Sequence, residues 1–464
     1  EYYIDEDELL LYWYPPHSVT NSKLELAAAN IDFLNITDVQ NISFKNLNFK
    51  NIRRCAANVT NCKNVTFYGC KFSNIGMRGV KFLNCYDSGL DSCDLSHIGA
   101  GAVSINGGDT DTLTHSNNFV RNCHLNDLAK RQKANNPGIW FNGVGNIITH
   151  NVIHDHPHIG IQGLGSENTI THNEIYDVDK ENTDTGAIYL GHPLSQVENE
   201  VEYNYIHDTW ANAEAVAAVD GQHTARGIYL DDVHSNSDIH HNVILNVQES
   251  ILYGGGSFNK LYDNIIVNGE IPVVYDARGR GWKKPDALSM IVNGIIPLMK
   301  NSAYDKYRYN INEFYRYNGA PEGVPAMHNE IRDNLYVNSK SDASVHDDVK
   351  ELGVYENNHY ILTSESDEVR FVDPENKNYQ LKSDSPILQK IPGLADINME
   401  DIGLYTNEYR KSTNRSVGDF KTYLPLNGTV ELATTDAFMS WEPAENADRY
   451  KVIVATDKEF KNID

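Results

Sequence analysis

One recurring position limits what this chain can fold into. Stacked one under another, ITHNVI (Asn151), ITHNEI (Asn173), VEYNYI (Asn204), IHHNVI (Asn242) and LYDNII (Asn264) share an asparagine. The column continues upstream through Cys123, Cys93, Cys70 and Leu47, and Asn334 in IRDNLY rejoins it downstream. Its members lie 22 or 23 residues apart where nothing intervenes, 28 to 38 apart elsewhere, and 70 apart across the largest insertion, from Asn264 to Asn334. A fixed period with longer gaps is the mark of a solenoid whose insertions fall in particular loops. Within each repeat apolar residues alternate over short runs, as at Ile188 and Leu190 or Ile228 and Leu230, and Gly, Asn and Asp separate the runs. That pattern reads as strands and turns. Three short strands in a coil of about 22 residues predict an all-β fold, a parallel β-helix. The asparagine column then belongs to the scaffold. Asn tolerates left-handed turn geometry, and stacked amides can bond to one another and to free backbone groups.

Everything else reads as cap, insertion or appendage. Residues 1–34 open with EYYIDEDELLLYWYPP, an alternating stretch that fits cap strands. The β-helix is expected over 35–412. Insertions fall near 105–117, 127–137, 179–186 and 208–226, and the largest, 280–328, is rich in Tyr and Arg. It suits either sugar stacking or a packed lid; helical periodicity first occurs inside it, near 286–300. From 413 to 464 the chain changes character, with Trp441 in FMSWEP, and resembles a linker and the first strands of a fibronectin type III-like module that stops before closing. Cys62 and Cys85, like Cys70 and Cys93, are 23 residues apart, which predicts stacked buried thiols rather than a zinc site, with disulfides between successive coils as the alternative. Six Asn-x-Ser/Thr matches (Asn35, Asn41, Asn58, Asn64, Asn414, Asn427) follow from the asparagine-rich composition.

The net charge of −25 argues against nucleic acid and disfavours polyanionic substrates, but does not penalise neutral glycans. No apolar run is long enough for a transmembrane helix. A second column, GIWF, GIQG, AIYL, GIYL, ILYG and VVYD, follows the first. If Ile188, Leu190, Ile228 and Leu230 face inward, Tyr189 and Tyr229 face outward in line with Trp140, Gln162 and Leu252. The next outward register holds Asn142, Leu164, Gly191, Asp231, Gly254 and Asp276. Aromatic rings, as sugar platforms, thus stand beside carboxylates. Asp231 and Asp276 are two rungs apart, roughly 9.5 Å at their backbones, near the upper end of the separation in inverting glycosidases. Asp232 adjoins Asp231, and keeping both charged needs a cation, an arginine or a proton-transfer task. Arg226 and Arg278 are the nearby arginines. His154, His156 and His158 cluster in HDHPHIG, but Pro157 interrupts the alternation that would turn them to one side. No metal is assigned there, and His158 is kept as a substrate-contacting or packing residue. His192, His207 and His223 are weaker candidates.

HDHPHIGIQGLGSENTITHNEIYDV, DTGAIYLGH, VEYNYIHD, RGIYLDD and YDARGRGW together resemble secreted bacterial right-handed parallel β-helix proteins, and among them glycoside hydrolase family 141, over about residues 1 to 410. The resemblance implies fucosidase- or xylanase-like hydrolysis by an acid/base pair of aspartates, carried to Asp184 (D-x-G-A-I-Y) and to Asp231 or Asp232 (Y-L-D-D). It also implies a secreted or cell-surface protein acting as a monomer on a plant or microbial polysaccharide. His192 stands where the family pattern G-A-I-Y-x-G-R has Arg, so a substrate contact differs. On a straight strand Asp184 would lie too far from Asp231; the pair needs a turn at one or both ends. Two other readings remain: a polysaccharide lyase or epimerase, which needs a cation or arginine at a uronate, and a non-catalytic glycan-binding solenoid. The hydrolase needs no cofactor. Under the lyase reading calcium is the ion that the aspartate cluster, with Arg226 and Arg278, could take.

Overall fold

The computed structural model describes residues 29–211 and 225–413 continuously, with shorter pieces before residue 28 and the strands Thr422–Leu424 and Ser440–Trp441. The chain forms two units, Ala27–Lys411 and Glu1–Leu26 with Ser412–Asp464. In the smaller unit Tyr2–Asp5 pairs antiparallel with Leu10–Trp13, and Thr422–Leu424 with Ser440–Trp441. Apart from these last two strands, the expected fibronectin type III-like segment lies outside the described residues.

Ala27–Lys411 winds into a parallel β-helix of three 11-stranded sheets, each coil adding one strand to each sheet. One sheet, called the site sheet below, runs from Leu34–Thr37 to Ser344–Val345; the others run from Gln40–Lys45 to Val354–Glu356 and from Asn48–Ile52 to His359–Ile361. Alternation along each strand sends every second side chain inward. In the site sheet this builds the ladder Ile139, Ile161, Ile188, Ile228, Ile251 and Val273, paired rung to rung and fully buried. Each such side chain contributes about 1.5–3 kcal/mol by leaving water. Near the start of the helix phenylalanines stack instead, Phe49 on Phe72 with ring centres 4.9 Å apart.

The asparagine column is a continuous interior ladder. The Asn151 amide donates to Asn173 Oδ1 at 2.9 Å, Asn173 to Asn204 at 2.9 Å, Asn204 to Asn242 at 3.0 Å and Asn242 to Asn264 at 3.0 Å. Its geometry differs from expectation in one respect. The left-handed residues are those just before it, His150, His172, Tyr203, His241 and Asp263, with φ between 51° and 56°. The turn is made one residue early so that each asparagine can point inward and cap carbonyls of the coil beneath, as Asn204 does to Ile170 at 2.9 Å. A second ladder, Asn146 to Asn168 to Asn199, marks another corner. The sequon residues Asn35 and Asn58, and Asn41 and Asn64, stack likewise on the outside, at 3.2 and 2.8 Å. All six cysteines are free and buried.

The long insertion leaves the site sheet after Ile271–Tyr275, forms helices that include Lys284–Met290 and Arg308–Tyr315, and returns at Glu330–Arg332. It is a packed lid. Tyr304, Tyr307, Ile311 and Phe314 bury themselves with Leu194, Val197 and Val233 of the coils. The insertion thereby stands beside the site sheet and delivers its first residues, 278–283, onto that sheet's outer face.

Candidate active site

The outward column of the site sheet is paired as its alternation requires: Trp140 with Gln162, Gln162 with Tyr189, Tyr189 with Tyr229, Tyr229 with Leu252. Where these strands end, Asp231 continues the ladder for one residue, its amide donating to the Leu190 carbonyl at 2.9 Å. The chain then turns sharply through Asp232 and Val233, with φ of 43° and 62°. A β-branched residue in the left-handed region is strained, and such strain gathers where surroundings fix the backbone.

Asp231 accepts four hydrogen bonds on this face. Its Oδ2 accepts from the Tyr189 hydroxyl at 2.6 Å. Its Oδ1 accepts from the Tyr229 hydroxyl at 2.7 Å, Arg278 Nη1 at 2.7 Å and the Asp232 amide at 2.8 Å. Burial works to raise its pKa, but the two tyrosine hydrogen bonds and the Arg278 charge outweigh it and hold the carboxyl below its ordinary value. Asp231 is therefore ionised at neutral pH. Both tyrosines move the opposite way, pushed up first by burial and then by the Asp231 charge.

Arg278 reaches Asp231 because the rung between has no side chain. A Cβ on Gly254 would stand 2.7 Å from the guanidinium carbon. Asp276 orients this arginine: its Oδ1 accepts from the Arg278 amide at 3.0 Å, and its carboxylate binds Nε at 2.9 Å and Nη2 at 2.8 Å. Asp231 and Asp276, aligned two rungs apart as expected, are thus joined by one guanidinium. Asp232 takes Lys283 at 2.8 Å, Arg278 at 3.3 Å and His192 at 3.4 Å.

Asp184 does reach this cluster. It sits in the left-handed region, φ 59°, just before strand Thr185–Leu190, and supplies the turn that the pairing needs. The following segment folds close over the outer face, where a Cβ on Gly186 would stand 3.0 Å from that of Tyr229. Asp184 Oδ1 accepts from Arg226 Nη1 at 3.1 Å and lies 3.3 Å from the Tyr229 hydroxyl. That hydroxyl also binds Asp231, so the two carboxylate oxygens are no more than about 6 Å apart. Arg226 is buried and also binds Glu249 at 2.7 Å.

Other expected residues are placed differently. Tyr229 points outward, but its ring is 3% exposed and covered by Arg226 at 4.4 Å, so it acts through its hydroxyl and not as a sugar platform. His158 is buried at the turn before its strand, which closes it to substrate contact. His154 belongs to another sheet, where it stacks on Tyr176 and lies 2.8 Å from His124. His207 stacks in the same row, and His223 lies outside the described residues. Trp140, Gln162 and Tyr189 remain partly accessible, and His192 is 46% exposed. Beneath the site Asp179 is fully buried with neither oxygen hydrogen-bonded; burial pushes its pKa up to about 7, and Thr185 and Arg226 offset only part of that.

Three contributors escaped sequence reasoning: Glu249, Trp282 and Lys283. Glu249 opens a strand as an ordinary polar residue. Trp282 and Lys283 stand at the head of the insertion in RGRGWKK, and their closeness to Arg278 in sequence was the available signal. Donor atoms of His192, Asp231 and Asp232 lie within 4.8 Å of one another, a spacing that could hold a cation. Arg278 and Lys283 already bring two positive charges to those carboxylates.

The profile of a family described as right handed beta helix region matches residues 113–280, in agreement with the right-handed winding expected from the sequence. No curated protein matches the chain. Similar solved structures include one described as a glycoside hydrolase (16% identity, 50% of this chain, 40% of that one, TM-score 0.37). A PL6 alginate lyase in complex with a trisaccharide follows (12% identity, 82% and 92%, TM-score 0.38), as does XylC with xylose (11% identity, 70% and 56%, TM-score 0.34). The chain spans 40% of the first of these proteins and 56% of the last. Each is a likeness in fold only.

Proposed function

We propose that this face hydrolyses a glycosidic bond in a neutral glycan, with Asp231 and Asp184 as the working carboxylates, fucosidase- or xylanase-like as the sequence resemblance implies. The observation that carries this is the Tyr229 hydroxyl, 2.7 Å from Asp231 and 3.3 Å from Asp184. It sets two carboxylates from neighbouring coils at a distance that suits the two sides of one bond. Asp231, ionised and fixed by four donors, supplies the negative charge that faces the developing oxocarbenium ion. Asp184, with its side chain 54% exposed, is open to the leaving oxygen and to water, as proton transfer requires. Two carboxylates and water suffice for this chemistry.

The cations of the site favour hydrolysis over lyase or epimerase action. A lyase must neutralise a uronate carboxylate with a positive charge not already engaged. Here Arg278 is shared by Asp231, Asp232 and Asp276, Arg226 by Asp184 and Glu249, and Lys283 by Asp232 and Asp286. Residues 212–224, adjacent in sequence to Arg226, contain no Lys or Arg. Asp184→Asn and Asp231→Asn should each lower kcat on the true substrate by at least about a hundredfold while circular dichroism stays unchanged. Full turnover by both variants would defeat the assignment.

A further inference from the structure

Trp282 is more exposed than the large rings of the site sheet, among which Trp140 and Tyr189 are half-buried. It is 69% exposed, whereas Tyr229, Tyr253 and Tyr275 are at most 3% exposed. A bare indole is informative because burial is what its area ordinarily gains. Nor is its place accidental. The Arg278 guanidinium lies 5.5 Å from the ring centre and the Lys283 ammonium 4.8 Å, both within cation–π range. Each cation is in turn tied to a site carboxylate, Arg278 to Asp231 at 2.7 Å and Lys283 to Asp232 at 2.8 Å. Two charged contacts therefore set the ring relative to Asp231 while most of its surface stays open to solvent.

A pyranose has a face of C–H groups, apolar and weakly positive, and a rim of hydroxyls. The face suits an indole, whose π cloud is negative. The rim needs donors and acceptors, and the Lys283 ammonium beside the ring, with the Asp232 carboxylate that it shares with the half-exposed His192, supplies them. We propose that Trp282 is the stacking platform for a sugar unit bound next to the one at Asp231 and Asp184, so that the ligand is a neutral glycan of at least two units. This rests on the hydrolase reading for the identity of the neighbouring unit, and on Trp282 for the second.

The test compares wild type, Trp282→Ala and Trp282→Phe on short neutral oligosaccharides of xylose, fucose, mannose and glucose, with cleavage followed by reducing ends and binding by calorimetry. Thermal melting confirms the fold, which an exposed side chain should not perturb. The expected result is a KM raised by about tenfold in Trp282→Ala, kcat little changed, and most of the loss recovered by the Phe ring. Cleavage by wild type with an unaltered KM in Trp282→Ala overturns the platform and leaves the hydrolase reading standing. Binding without cleavage, lost in Trp282→Ala, upholds the platform and overturns that reading. Neither binding nor cleavage of any of these sugars overturns both.

Discussion

Tyr229 joins the two halves of the site through a single oxygen, and removing that oxygen separates its effects. Its hydrogen bond is among the causes holding Asp231 below the ordinary carboxylate range. In Tyr229→Phe the Asp231 pKa rises, so the acid limb of the kcat/KM profile should move to higher pH, and kcat at neutral pH should fall by roughly tenfold. An unshifted acid limb would mean that Asp231 is not the group titrating there. At this scale the sequence was partly legible. Period-two alternation put Tyr189, Tyr229 and the Asp231 register on the outer face, because that periodicity is a local property of a strand. It could not show that Arg226 covers the Tyr229 ring from its own strand or that Lys283 arrives from an insertion, since side-chain packing is not encoded in strand periodicity. The motif singled out Asp184, and its reach to Tyr229 depends on a left-handed residue that spacing does not reveal.

Among the elements, the asparagine ladder is what keeps neighbouring coils in register. Asn204 donates to Ile170, Glu202 and Asn242 at 2.9 to 3.0 Å and accepts from the Asn173 backbone and side chain at 3.0 and 2.9 Å. Asn204→Ala leaves several of these partners buried and unpaired, and urea unfolding should report a loss of about 3 kcal/mol or more. Asn35→Ala, in the exposed ladder, should cost only about 0.5 kcal/mol. Equal costs would contradict the division into structural interior and solvated exterior ladders. The coil architecture was readable because one residue type recurs at nearly one period. Helical periodicity in the insertion was readable near 286–300, where Lys284–Met290 and Ile296–Leu298 are helical, but not at Arg308–Tyr315. The insertion's role as a packed lid was not readable, since aromatic and basic residues suit stacking on a sugar as well as on a coil, and only tertiary packing separates the two.

Across the whole molecule, buried and half-buried neutral histidines tie stability to pH. Burial pulls His150, His158, His234 and His240 down to about 4, and His156 to about 3, from an ordinary 6.5. Between these values the unfolded chain binds protons that the folded chain refuses, so stability falls as pH drops from about 6.5 toward 4. Asp179 and Asp263, raised by burial to about 7 and 6, have the opposite slope but are outnumbered. The urea midpoint should therefore be lower at pH 5 than at pH 7; a higher midpoint at pH 5 would contradict the protonation states assigned to these histidines. The central claim, that one face of the β-helix cleaves glycosidic bonds with water through Asp231 and Asp184, is tested most directly by running the reaction in heavy-oxygen water and weighing the products. The expected result is one heavy oxygen at each new reducing end, with product formation abolished in Asp184→Asn and Asp231→Asn. Unsaturated, ultraviolet-absorbing ends without heavy oxygen would contradict it.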